Sequence, residues 1–219
     1  MPPSSVPADF HLFSPLHLAI LIAIPVVAAL LVFATRRYPG SALVIRAALA
    51  TILTADGLGW HCYRYYVHGI RFPEISPLEL CDASFWLTAA ALLTLEEHTF
   101  DLAYYWGIAG SGMAILTPYL RAPLHTLQSV QFFFGHSLVI VGVLYLIWSR
   151  QARTRARSWL FAFWSLNVYG ALVAAVDYWA GTNFMYFRQK PASSSLFDFW
   201  DRGRGTFWAL ISSRSSLSG

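Results

Sequence analysis

The run SPLELCD at residues 76–82 places two carboxylates and a thiol ahead of an apolar stretch. Ser76 is typical of a helix N-cap, Pro77 of a first helical residue, and Glu79 of the side chain that closes a capping box. The pattern predicts Cys81 in the second turn, near the positive end of a helix, where a thiolate is favoured. A buried and inert thiol is the alternative.

Three more polar side chains interrupt apolar stretches. Asp56 stands well inside one of them, and a carboxylate at membrane depth is by default either functional or paired with a neighbouring helix. Gln131 and His136 belong to the run QFFFGHS, where Gly135 keeps one side of the helix thin so that the imidazole can face a neighbour. His136 could serve as a hydrogen-bonded strut or as one of a pair of haem ligands.

The composition is that of an integral membrane protein. Of the 219 residues, 57% are hydrophobic and 12% are charged, against about 25% charged in soluble domains. All but one of the 15 basic residues are arginine. In a multi-pass protein such a net positive charge indicates topology and lipid-headgroup contact, and we expect no nucleic-acid partner.

The motifs of several enzyme classes are absent from the sequence. It has no Gly-rich phosphate loop, no Cys/His cluster with metal-ligand spacing and no Ser-His-Asp motif order. We therefore expect no metal and no cofactor. The two cysteines, Cys62 and Cys81, are too few for a disulfide framework. A single Cys62–Cys81 bridge is an open alternative that would remove the thiol chemistry.

The elements that must position these side chains are six apolar stretches. The sequence predicts an all-α, multi-pass transmembrane bundle with spans at about residues 16–34, 43–60, 77–95, 102–117, 127–148 and 159–179. In the fourth span Ala103, Gly107 and Ser111 recur every four residues. That spacing is typical of helices that pack closely in membranes.

Arginine placement predicts the orientation of the bundle. Residues 36–37 and the loop at 150–157, with four arginines, would lie together inside, so the N-terminus would lie outside. The run at 76–82 and the start of span five then share the outer side. Cys81 and His136 could therefore approach each other.

Four runs in order carry a family resemblance: SPLELCD, YYWGIAGSGMAILTP, QFFFGHS and TNFMYFRQKP, the last followed by SSLFDF. They resemble the YwaF family of bacterial integral membrane proteins, whose vertebrate relative is transmembrane protein 164. The resemblance implies a multi-pass protein of the bacterial plasma membrane. From the vertebrate member it also implies a cysteine-dependent acyltransferase acting on membrane phospholipids and lysophospholipids, with Cys81 and His136 at the family's cysteine and histidine.

The resemblance suggests a mechanism. His136 would take the proton of Cys81, the thiolate would form an acyl thioester, and a lysophospholipid hydroxyl would then accept the acyl group. The start of the helix, with Asn183 or Gln131, would stabilise the oxyanion. Asp82 lies about 100° round the helix from Cys81, so it is better placed to orient a neighbour or substrate than to act on the thiol.

Non-catalytic functions are the alternatives. The protein could be a carrier or assembly partner whose Asp56, His61, His136 and Asp177 line a polar cavity. A haem or quinone site that uses His61 and His136 is a weaker option, because the sequence has no CxxCH and few histidines at matched depth.

The end of the sequence departs from the resemblance. We expect one membrane-embedded domain over residues 1–199 and an irregular tail over 200–219. Family members continue as Gly-Pro-Trp-Pro-Trp-Tyr into a seventh span. Codons that encode Trp200–Trp208 can be read in a second frame as that turn, so we expect a frameshift to have replaced the seventh span.

Overall fold

The fold is a bundle of six α-helices, seen in a computed structural model that describes residues 10–118, 120 and 122–187. The helices are α1 (Pro15–Arg37), α2 (Ala42–Tyr66), α3 (Leu80–Thr94), α4 (Glu97–Leu116), α5 (Leu127–Trp148) and α6 (Ser158–Ala180). The predicted all-α class is confirmed, and the fifth span predicted at about residues 127–148 has the same bounds as α5. The predicted tail at 200–219 and the lost seventh span lie outside the described residues.

Length and composition make four segments of the described chain candidates to cross a membrane: α1, residues 39–66, α5 and α6. Their surfaces are strongly apolar, because large side chains such as Phe33, Val44 and Trp164 are more than half exposed. Apolar side chains on the outside of a helical bundle are expected where lipid replaces water. α3 is apolar but shorter, with 15 residues.

Small residues bring α4 close to its neighbours, as their spacing predicted. Ala103, Gly107 and Ser111 are all buried. A Cβ added at Gly107 would lie 3.0 Å from the Val139 side chain of α5. The absence of side-chain bulk on this face therefore sets the separation between α4 and α5.

Polar contacts group the helix ends at two faces of the bundle. At one face Arg36, after α1, donates to the Trp148 carbonyl at the end of α5, at 3.1 Å. At the same end of α5, the loop at 150–157 reaches the start of α4, where Arg155 contacts Asp101. At the opposite face His17 donates to the Ile115 carbonyl, at 2.8 Å. The arginines predicted to lie together thus share one face of the bundle.

The predicted start of the third span is wrong by three residues. α3 begins at Leu80 with Glu79 as its N-cap, whereas Ser76 lies in a turn and accepts from the Leu78 N–H. Only half of a capping box is present: Asp82 accepts from the backbone N–H of Glu79, whereas the Glu79 side chain makes no cap hydrogen bond. The Glu79 carboxylate, which was predicted to close the box, instead accepts from the Met185 N–H.

The predicted start of the fourth span is also wrong. The acidic turn that was expected to follow the third span is the first turn of α4, which begins at Glu97. Glu96 is its N-cap, and its carboxylate accepts from the backbone N–H groups of His98 and Thr99 at 3.0 and 2.6 Å. Negative charge at a helix N-terminus is stabilising, so this turn favours a helix where hydropathy alone would end it.

Candidate functional site

Cys81 is the second residue of α3, closer to the helix N-terminus than the sequence predicted. Its thiol is free, and the residue as a whole is partly exposed. Backbone N–H groups in a first turn have no partner within the helix, so their partial positive charge acts on this position. Cys62 is also a free thiol, and the alternative of a Cys62–Cys81 disulfide is therefore wrong.

Two carboxylates flank Cys81, and each has a partner on another part of the chain. Asp82 interacts electrostatically with His61 and Arg64, which project from α2. Glu79 accepts from the backbone N–H of Met185 at 2.9 Å. Both charges next to the thiol are therefore held by neighbouring segments.

The segment after α6 folds back on the start of α3. Asp177 anchors it, accepting from Thr182 Oγ1 at 2.6 Å and from the Phe184 N–H at 2.9 Å. The side chain of Phe184 is buried. Because the next residue, Met185, bonds to Glu79, Asn183 belongs to a segment attached to the helix that carries Cys81.

Phe85 shares a face of α3 with Cys81 and contacts His136. Phe85 follows Cys81 by one helical turn and so lies on the same face of α3. Its ring meets the His136 ring edge to face, with centroids 5.7 Å apart and planes at 84°. Among the described residues no hydrogen bond joins Cys81 to His136 directly. The structure thus places His136 beside the residue that follows Cys81 by one helical turn.

The imidazole of His136 is buried and has a defined tautomer. Its Nδ1 lies 2.7 Å from the Phe132 carbonyl oxygen, so Nδ1 carries the proton. The Phe132 ring lies against the same imidazole, with centroids 4.4 Å apart. In this tautomer Nε2 retains its lone pair and can accept a proton.

Asp56 and Gln131 form a pair between α2 and α5. Gln131 Nε2 donates to Asp56 Oδ2 at 3.0 Å. Gly135, one turn further along α5, makes the approach feasible. A Cβ there would lie 2.5 Å from both Asp56 Oδ2 and the Phe85 ring. Gly135 therefore lets α2, α3 and α5 pack closely beside His136. This is the thin side of the helix that the sequence predicted.

An open cavity of about 470 Å³ lies over the Asp56–Gln131 pair. Its wall from α2 includes Gly59, Trp60 and Tyr63, and its wall from α5 includes Val130 and Phe134. Val130 is 55% exposed and Phe134 49% exposed. The cavity is thus a groove that faces the lipid, and we call it the α2/α5 groove.

The four polar residues of the carrier alternative occupy separate environments. Of the four, Asp56 alone lines the α2/α5 groove in the described part of the chain. His61 bonds through Nδ1 to the Gly57 carbonyl at 2.8 Å and faces Asp82. His136 packs between phenylalanines, and Asp177 anchors the segment after α6.

Sequence reasoning missed several residues of this site. Phe85 carried no signal beyond apolarity, and the pairing of Met185 with Glu79 joins positions 106 apart in the chain. His17, fully buried and bonded to α4, was also missed. The available clue for Phe85 was its spacing of four residues from Cys81, which places both on one face of a helix.

Within the described residues, no group of three or more His, Cys, Asp or Glu side chains is arranged to hold a metal ion. The site instead consists of a thiol, an imidazole and a polar pair at one end of a helical bundle. Such a fold and site define a multi-pass membrane protein.

Comparison with known proteins places the chain further. The sequence model of the TMEM164 family matches residues 12–214. The chain belongs to the TMEM164 family. No curated protein and no solved structure matches it.

Proposed function

We propose that this protein is a phospholipid acyltransferase that uses Cys81 as its nucleophile and His136 as its base. The observation that carries the proposal is the position of a free cysteine in the first turn of α3, one turn from the ring that contacts His136. We also infer that its relatives are the bacterial YwaF proteins and that it lies in the bacterial plasma membrane.

In the first half-reaction the Cys81 proton passes to Nε2 of His136. The sulfur attacks the carbonyl carbon of a glycerophospholipid ester, and the C–O bond to glycerol breaks. The leaving alkoxide takes the proton from His136, which releases a lysophospholipid and leaves an acyl thioester on Cys81. Because no direct hydrogen bond joins Cys81 to His136, transfer of the proton requires the two side chains to move closer or one bridging water.

In the second half-reaction a lysophospholipid hydroxyl loses its proton to His136 and attacks the thioester carbonyl. The C–S bond breaks and the proton returns to sulfur. Backbone N–H groups of the first turn of α3 supply the oxyanion site, where Asn183 is the side chain we propose to assist. Gln131 already donates to Asp56, so of the two predicted side chains we assign Asn183 alone to the oxyanion.

Trapping of the thioester tests this function. The purified full-length protein is incubated with a phospholipid that carries a labelled acyl chain, and labelled protein is then treated with hydroxylamine, which cleaves thioesters. We expect hydroxylamine-sensitive label on the wild type and on Cys62→Ser, and none on Cys81→Ala. Equal labelling of Cys81→Ala, or no label on the wild type, would refute the proposal.

A further inference from the structure

The α2/α5 groove combines a lipid-facing opening with a polar floor. Its walls are apolar, with Val130 and Phe134 about half exposed, yet it ends on the Asp56–Gln131 pair. Polar side chains in lipid are costly unless they have partners. Asp56 and Gln131 partner each other, and a ligand that brings both an apolar chain and a hydrogen-bonding group would match both parts of the groove.

The depth of the polar pair restricts that group. Gln131 lies four residues after the start of α5, which is about 6 Å along the helix axis. The 22 residues of α5 extend about 33 Å, close to the hydrocarbon thickness of about 30 Å. The pair is therefore near the level at which glycerol and its ester groups lie in a bilayer.

The hydrogen-bonding capacity of the pair specifies the ligand further. One carboxylate oxygen of Asp56 accepts from Gln131, and a carboxylate can accept several more hydrogen bonds but donates none when ionised. The amide of Gln131 has a second N–H to donate. A free hydroxyl next to an ester carbonyl satisfies both groups, whereas a fully esterified glycerol has no hydroxyl to donate.

We propose that the α2/α5 groove binds a lysophospholipid, with its free glycerol hydroxyl donating to Asp56, its ester carbonyl accepting from Gln131 and its acyl chain along Val130 and Phe134. A cavity of about 470 Å³ suits one acyl chain better than two. The role of this lipid as acyl acceptor rests on the proposed function. Its binding does not, since no step of it uses Cys81.

Gly59 offers a clean way to fill the groove. It lines the cavity, and a Cβ added there has no atom within 4 Å. The Cβ of Gly59→Leu should therefore meet no clash, and the rest of the side chain should extend into the groove. Gly112→Leu is the matched control, because a Cβ at Gly112 also meets nothing within 4 Å and Gly112 lies on α4, outside the groove.

The experiment measures binding to the full-length protein by native mass spectrometry. The probes are 1-palmitoyl lysophosphatidylcholine, its 2-deoxy analogue and dipalmitoyl phosphatidylcholine. We expect the lysophospholipid to bind wild type and Gly112→Leu at least tenfold more tightly than either other lipid. Gly59→Leu should lose this binding, and Asp56→Leu should bind the lysophospholipid and the deoxy analogue equally.

Two results would overturn the proposal: equal affinity of the wild type for the deoxy analogue, or wild-type binding by Gly59→Leu. A melting temperature for each variant separates loss of the site from loss of the fold. Cys81→Ala should bind the lysophospholipid normally. If that variant binds while no variant transfers acyl chains, the groove stands and the proposed reaction fails.

Discussion

The ring of Phe85, which lies one helical turn after Cys81 on α3, meets the imidazole of His136 edge to face, with ring centroids 5.7 Å apart. Residues four apart in a helix share one face, so the imidazole of His136 lies beside the face of α3 that carries Cys81.

A first prediction follows for Cys81 and His136, the two residues of the proposed reaction. Cys81→Ala and His136→Gln should each lower acyl transfer by at least about 100-fold, and the double variant should be no slower than the slower single variant, because the two side chains act as one unit. Steady-state rates with a labelled phospholipid measure this. Losses that multiply in the double variant would contradict the paired mechanism.

Gly135→Ala should distort the site through α5. The new Cβ would lie 2.5 Å from Asp56 Oδ2 and from the Phe85 ring, so one of these groups must move, and overpacking of this kind costs about 1–3 kcal/mol. A lower melting temperature in detergent would report it. Gly112→Ala is the control, since it has open space and should leave stability unchanged or raised.

The Arg155–Asp101 ion pair at the arginine-rich face should contribute more to stability than the exposed Arg153 beside it. Asp101 is fully buried and accepts from both the N–H and Nε of Arg155, at 3.2 and 2.7 Å. Arg155→Ala leaves the carboxylate without its cation, and because the Arg155 side chain is 31% exposed, the cost should lie below the about 3–5 kcal/mol of a fully buried pair. Chemical unfolding should show that Asp101→Asn partly rescues Arg155→Ala, whereas Arg153→Ala alone has little effect.

The start of α4 should respond to acid. Hydrogen bonds from Thr99 and then His98 lower the pKa of the exposed Glu96 carboxyl from 4.5 to about 2. A carboxyl whose pKa is lower in the folded state stabilises the fold above about pH 4.5, and this contribution is lost as the pH falls through about 2. In the wild type, loss of this cap should speed hydrogen exchange of the Thr99 amide as the pH falls through that window. In Glu96→Gln the cap does not titrate, so exchange at Thr99 should show no such acceleration.

The orientation of the bundle can be tested in intact cells. In a background that carries Cys62→Ser and Cys81→Ser, Arg153→Cys should be shielded from an impermeant thiol reagent, because arginine-rich loops lie on the cytoplasmic side. His125→Cys, exposed at the opposite face, should be labelled. The reverse pattern would place the Cys81 end of the bundle in the cytoplasm and change the leaflet that supplies substrate.

The sequence alone was sufficient for the helices whose signals are local. α5 was predicted at both ends, because an apolar run of helical length follows Thr126, whose hydroxyl accepts from the Ser129 N–H as an N-cap. The close packing of Gly107 was also predictable, since its spacing from Ala103 and Ser111 places all three on one helical face. The membrane class follows from composition for a similar reason, because each apolar residue adds to the hydrophobicity of a span independently of the others.

Only the tertiary structure decided which polar groups meet. The Glu79 carboxylate has two possible partners, its own helix N-terminus and the distant Met185 N–H, and it takes the second. Gln131 likewise could face the thiol or α2, and the absence of a side chain at Gly135 lets α2 approach, so that Gln131 bonds to Asp56. Such choices depend on the free energies of contacts between helices far apart in the chain, and no local pattern of residues encodes them.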